Sequence, residues 1–123
     1  MDAVTKEILA KLPRLISHRP LEWAKKSPDR PAIVEDEVTW TYKDLAIAVE
    51  GAKALLMGLG VRPGDRVLLI NENCRAFVAL LLACSELEAC AVSVNARLSA
   101  IEIDNIRAHC QPRRTFYTAE VSP

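Results

Sequence analysis

The chain has 123 residues, of which half are hydrophobic and 26% charged, and its sixteen basic and sixteen acidic side chains cancel. A chain of this length buries roughly two thirds of the surface that its unfolded form exposes, so a single core is expected and a disordered tail is excluded. Balanced charge without a run of Lys or Arg lacks the electrostatic footprint that nucleic acid requires, which excludes that partner.

In chain order, a first helix is predicted from about Val4 to Ile16, where Lys6, Glu7, Lys11 and Arg14 alternate with Ile8, Leu9, Leu12 and Leu15. Pro13 is a candidate break, because a helical proline removes a hydrogen bond and clashes with the preceding turn. The segment lacks a signal-peptide apolar block, so the expected location is cytoplasmic. Residues 1–19 are assigned as a helical leader and residues 20–123 as an α/β segment. Pro20 opens a short helix through Leu21 to Lys26, and Ser27-Pro28 stops it, since the residue before proline avoids helical geometry.

Pro31-Ala-Ile-Val34 and Val38-Thr-Trp-Thr41 are β-rich runs joined by Glu35-Asp36-Glu37, which predicts a hairpin with a solvated acidic tip. Thr41-Tyr-Lys-Asp44 has the form of a capping box and begins a helix of about 17 residues. Its core stripe is read as Leu45, Val49, Ala52, Leu56 and Leu59, widened by Ala48 and Leu55, with Gly58 and Gly60 at its end. Pro63-Gly64 predicts a type II turn into the strand Val67 to Ile70, apolar on both faces as in a buried parallel strand.

Asn73 or Cys74 then precedes a helix from Arg75 to Leu87 or Glu88, and Cys90 to Val94 reads as a second buried strand. Ser99-Ala-Ile-Glu102 is a second capping box, opening a helix to about His109 with Ile103, Ile106 and Cys110 on one face. Arg114 to Thr118 is a final strand. Strands alternating with helices predict an α/β fold with a mainly parallel sheet, helices on both faces and a β-hairpin near the amino terminus. Ligands of such sheets sit beyond the carboxyl ends of the strands, here after Ile70, Val94 and Thr118.

The apolar stretch from Ala76 to Val94 contains Glu86 and Glu88, which argues against a transmembrane segment. Cys74, Cys84, Cys90 and Cys110 lie ten, six and twenty positions apart, a spacing that fits neither a zinc site nor a redox pair, so they read as reduced, mostly buried thiols. His109 and Cys110 are neighbours on a helix and point about 100° apart, which argues against a shared catalytic site. The four glycines all fall between Gly51 and Gly64 and build neither a dinucleotide fingerprint nor a nucleotide cradle.

Pro28-Asp-Arg-Pro-Ala-Ile-Val34, Trp40-Thr-Tyr-Lys-Asp-Leu45 and Gly60-Val-Arg-Pro-Gly-Asp-Arg-Val67 follow one another closely, with Glu72-Asn73, Phe77-Val78 and Leu87 to Leu98 beyond them. Over roughly residues 20 to 120 the chain resembles the start of the adenylate-forming (AMP-binding) enzymes. Asn95-Ala-Arg97-Leu98 is similar to the form found in acyl- and aryl-CoA synthetases. The resemblance implies a parent enzyme that uses ATP, Mg and CoA to activate a small-molecule carboxylic acid, first as an acyl-adenylate and then as an acyl-CoA thioester. The chain departs from the pattern at Glu88, where Gly is common, and at Ser93 and Ala96, where Pro is common.

The family's phosphate loop, acidic ATP-site motifs and catalytic lysine correspond to no part of this chain. No catalytic, cofactor-binding or metal residue is therefore assigned, and no cofactor is expected in the chain itself. The matched motifs imply architecture: Thr41 and Asp44 cap, Tyr42 and Leu45 pack, Pro63-Gly64 turns, and Asp65 and Arg66 lie at the surface or pair locally. Arg97 takes either a structural, solvated role or a contact to an acyl or pantetheine group. The expectation is an inactive amino-terminal piece whose partner is the carboxy-terminal remainder of the parent, with self-association through exposed apolar surface. The alternative is a stand-alone, non-catalytic α/β interaction module.

Overall fold

Asp2 accepts the Thr5 amide and starts helix α1 (Ala3–Lys11) in the computed structural model, which describes residues 2–117. The helix stops well short of the predicted Ile16. Leu12 turns extended, with ψ 141°, because Pro13 follows it and the residue before a proline avoids the helical region. Helix α2 (His18–Lys26) begins two residues before Pro20, which occupies a first-turn position whose missing N–H costs nothing.

Strands β1 (Pro31–Glu35) and β2 (Val38–Thr41) form the expected antiparallel hairpin, with Val34 opposite Thr39 and Asp36 in the left-handed region at φ 50°. The Thr41 side chain accepts the Asp44 amide at 3.2 Å and the Asp44 carboxylate accepts the Thr41 amide at 3.0 Å, so both halves of the capping box are present. Helix α3 (Tyr42–Gly58) follows. Leu45, Val49 and Leu56 are buried on its core stripe, but Leu55 is half exposed instead of widening it, because the stripe is already filled by residues one turn apart.

Gly64, at φ 84°, takes the left-handed position of the Pro63-Gly64 turn, and the Asp65 amide closes it on the Arg62 carbonyl at 3.0 Å. The chain then enters β3 (Arg66–Asn71), followed by α4 (Arg75–Glu86), β4 (Cys90–Asn95), α5 (Ala100–Cys110) and β5 (Arg114–Tyr117). Thr118, the last residue of the expected final strand, lies outside the described residues. The three strands form a parallel sheet in the order β4-β3-β5, and Val67 pairs with Ala91 on one side and Arg114 on the other.

β3 is central and buried from Val67 to Ile70. Because side chains alternate across a strand, Val67 and Leu69 join α3 and α4 residues in one core, while Leu68 and Ile70 join Val94 and Cys110 in a second, smaller one. Helices therefore cover both faces, as expected. β4 departs from its expected burial, since Cys90 and Ser93 are exposed and Val94 alone is fully buried. Among the described residues it is an edge strand, with a neighbour on one side only.

Glu88 adopts the left-handed conformation at φ 57°, the geometry that a glycine would take without cost. Its amide donates to the Ser85 carbonyl, its own carbonyl accepts the Gly64 amide, and its carboxylate pairs with the Arg14 guanidinium. The turn is thus made by the backbone despite the departure from glycine. Close by, Ser17 is completely buried, with its amide on Ser85 Oγ at 3.2 Å and its hydroxyl donating to the Glu86 carboxylate at 2.7 Å.

Candidate functional site

At the carboxyl ends of β3 and β4 lies a polar cavity of about 490 Å³, lined by Asn71, Glu72, Asn73, Ser93, Val94, Asn95 and Arg97. Parallel pairing builds it, because Asn71 is the register partner of Asn95 and both strands end there. The Asn71 amide nitrogen donates to the Glu72 carbonyl at 3.1 Å, while its Oδ1 is buried without a hydrogen-bond partner among the described residues. Such an orphaned acceptor marks a place where a further donor gains affinity.

Asn95 Oδ1 accepts the Arg97 amide at 2.9 Å, and the Leu98 amide closes on the Asn95 carbonyl at 3.2 Å, so a local asparagine turn carries the chain through the position where the family has proline. Arg97 stands at the rim, its side chain 81% exposed and its Nε 3.6 Å from the Glu72 carboxylate. The structure thus brings Arg97 to the carboxyl-end cavity and leaves its guanidinium head largely in water.

The cavity offers amides, one carboxylate, one hydroxyl and a guanidinium, which can orient a polar group but show no nucleophile hydrogen-bonded to a base among the described residues. Cys84 is buried in the core of α4, and burial, followed by the nearby Cys90, pushes its thiol up to about 11. A thiol held protonated in this way is unreactive near neutrality. Cys110 is buried while His109 is exposed, so the two face apart as their helical positions require.

The donor set does not fit the ATP and magnesium that the resemblance implies. Among the described residues no group of three or more His, Cys, Asp or Glu could hold a metal ion. Gly51 and Gly58 lie within α3, and Gly60 and Gly64 follow it, so the glycines form no loop at the amino end of a helix.

Sequence reasoning missed the role of Glu35. It is not part of a solvated acidic tip: its carboxylate accepts the Arg75 amide at 2.9 Å and the Arg75 guanidinium at 3.2 Å, while Arg75 lies 5.8 Å over the Trp40 ring. Cys74 makes no side-chain cap, so Glu35 from the hairpin caps α4 in its place. The partners are forty residues apart, and no local pattern signals them.

A family model described as AMP-binding enzyme matches residues 21–123. The chain belongs to the AMP-binding enzyme family. It is 33% identical over 101 residues to a feruloyl-CoA synthase of an Amycolatopsis species, covering 82% of this chain and 21% of that protein. It is 32% identical over 102 residues to the long-chain-fatty-acid–CoA ligase FadD13 of Mycobacterium tuberculosis, covering 81% and 20%. The fold matches the N-terminal domain of FACL13 from Mycobacterium tuberculosis with a TM-score of 0.84 at 30% identity, covering 90% of this chain and 28% of that one. The chain thus spans about a fifth of the length of these curated relatives. No described helix is long and apolar enough to cross a membrane.

Proposed function

We propose that the chain is the amino-terminal portion of an ATP-dependent carboxylic acid:CoA ligase. The observation that carries this reading is the continuous family match over residues 21–123, together with the same fold in the N-terminal domain of FACL13. In this reading the 123 residues are framework: they build the parallel sheet and present the Asn71–Asn95 cavity at its carboxyl end. ATP, magnesium, CoA and the carboxylic acid engage residues of the remainder of the enzyme, in the cytoplasm. The half-open edge strand β4 supports a part of a larger body over a stand-alone module.

The test is ATP–pyrophosphate exchange with a panel of aliphatic and aromatic acids. The 123-residue chain alone gives no exchange above a no-enzyme control, because it has neither a phosphate loop nor a catalytic lysine. Exchange clearly above that control refutes the framework reading.

A further inference from the structure

At the amino ends of the strands, the opposite end of the sheet from the Asn71–Asn95 cavity, four exposed arginines gather: Arg62, Arg66, Arg113 and Arg114. The backbone places them together. The Arg113 amide donates to the Arg66 carbonyl at 2.7 Å, and Arg114 is the register partner of Val67. Three of the four side chains are anchored in the same way, through Nε alone. Arg66 Nε donates to the Cys110 carbonyl at the end of α5, Arg113 Nε to the Asp65 carboxylate at 3.3 Å, and Arg114 Nε to the Leu59 carbonyl at 2.9 Å, where α3 ends.

Closing helix ends accounts for the Nε contacts of Arg66 and Arg114, since the last carbonyls of a helix lack intrahelical partners, and the Asp65 carboxylate accounts for that of Arg113. It does not account for the Nη groups. Among the described residues the Nη atoms of Arg66, Arg113 and Arg114 have no partner. Each guanidinium is therefore held at its stem with its outer donors unused, so little side-chain entropy remains to be lost when an anion arrives. Arg66 and Arg113 line one cavity of about 310 Å³ with Asp65, Gln111 and Pro112. Asp65 is the one acid in that lining, and its Oδ2 is already engaged by the Arg62 amide at 2.8 Å and by Arg113. A local excess of positive charge thus stands in a chain whose formal charge is zero.

We propose that this arginine cluster binds a small phosphate-bearing anion, held by the Nη groups of Arg66 and Arg113. Guanidinium groups match phosphate oxygens two at a time, and a phosphate offers enough oxygens to engage two of them at once. The cavity is at the lower end of the ligand range, which suits a phosphate or diphosphate group better than the face of a macromolecule. The site is independent of the ligase reading, because it uses none of the residues at the carboxyl end.

The experiment is a thermal-shift titration of the whole 123-residue chain with inorganic phosphate, pyrophosphate and AMP, against chloride at matched ionic strength, with phosphorus NMR as the binding readout. The expected result is a saturable rise in melting temperature, greater for pyrophosphate than for phosphate; a tighter AMP arm would assign the phosphate to a nucleotide. Arg113→Gln, at an exposed side chain, weakens binding by about tenfold, and so does Arg66→Lys, which keeps the charge but loses the planar fork. A response that follows ionic strength without saturating overturns the proposal. So does binding unchanged in both variants.

Discussion

Replacing Glu35 with Ala tests the tie between the hairpin and α4. The carboxylate makes a cap-type hydrogen bond to the Arg75 amide and an ion pair with its guanidinium, with side-chain exposures of 24% for Glu35 and 37% for Arg75. Loss of a capping acceptor costs about 1 kcal/mol, removal of a negative charge from a helix start about 0.3–1 kcal/mol, and a partly exposed ion pair at most about 1 kcal/mol. These contributions overlap, so Glu35→Ala should destabilise the chain by about 2 kcal/mol. Glu35→Gln keeps an acceptor but not the charge, and should lose about half of that. Glu37, two residues on, is exposed, and Glu37→Ala should change stability by less than about 0.5 kcal/mol. In urea, 2 kcal/mol moves the midpoint down by about 1 M, readable by tryptophan fluorescence because Arg75 stacks on Trp40. Equal midpoints for the Glu35 and Glu37 variants would refute the cap.

The reciprocal capping box at α3 predicts that Thr41→Ala costs about 1 kcal/mol with little loss of packing, and a denaturation midpoint unchanged within error would count against it. Asp65 predicts a pH dependence: the Arg62 amide, and after it Arg113, hold its carboxyl below the ordinary value of 3.8. The unfolded state therefore takes up a proton first, so this contribution is present above about pH 3.8 and is lost as pH falls through the lowered folded value. Asp65→Asn should flatten that part of an acid-denaturation profile, and an unchanged profile would exclude the contribution.

Much of the fold was legible because its signals are local. The Thr41-Tyr-Lys-Asp44 box, the Pro63-Gly64 turn and the double-sided apolar run from Val67 to Ile70 each act within a few residues, and each appears where the pattern puts it. What escaped depends on distant partners. Glu35 looked like one of three equal acids until Arg75 was brought to it across forty residues, and Ser17 is buried only because Ser85 and Glu86 lie under it. The second capping box is half as expected: the Ser99 hydroxyl accepts the Glu102 amide, but it is that hydroxyl, and not the backbone, that donates to the Glu102 carboxylate. The burial of β4 was over-read because an apolar run records how a strand can be covered, not whether a neighbour is present. At the candidate site the sequence pointed to the strand ends and to Arg97, but the orphaned Asn71 oxygen follows from packing alone.

The exposed surface itself leads to a prediction about association. A compact protein of 13.6 kDa is expected to expose roughly 6,600 Å², whereas this chain exposes 8131 Å². The excess is about 1,500 Å², comparable to the total area buried in a standard protein–protein interface. Part of it lies on the outward side of α3, where Ile47 and Met57 are 62% and 51% exposed and Gly51, Ala54 and Gly58 add no charge. Helix α3 packs against α2, α4 and the hairpin, yet this apolar stripe of it stays open. The edge strand β4 adds a row of backbone groups open to pairing. The isolated chain should therefore self-associate with rising concentration, bind a hydrophobic dye more strongly than a compact domain of its mass, or do both. Light scattering over a concentration series, with dye fluorescence on the same samples, measures both. Ile47→Lys should weaken whichever response is present by replacing the most exposed large apolar side chain of the stripe with a charge. A monomeric, dye-silent chain would mean that these surfaces do not act as contacts, and would shift the balance from a part of a larger ligase toward an autonomous module.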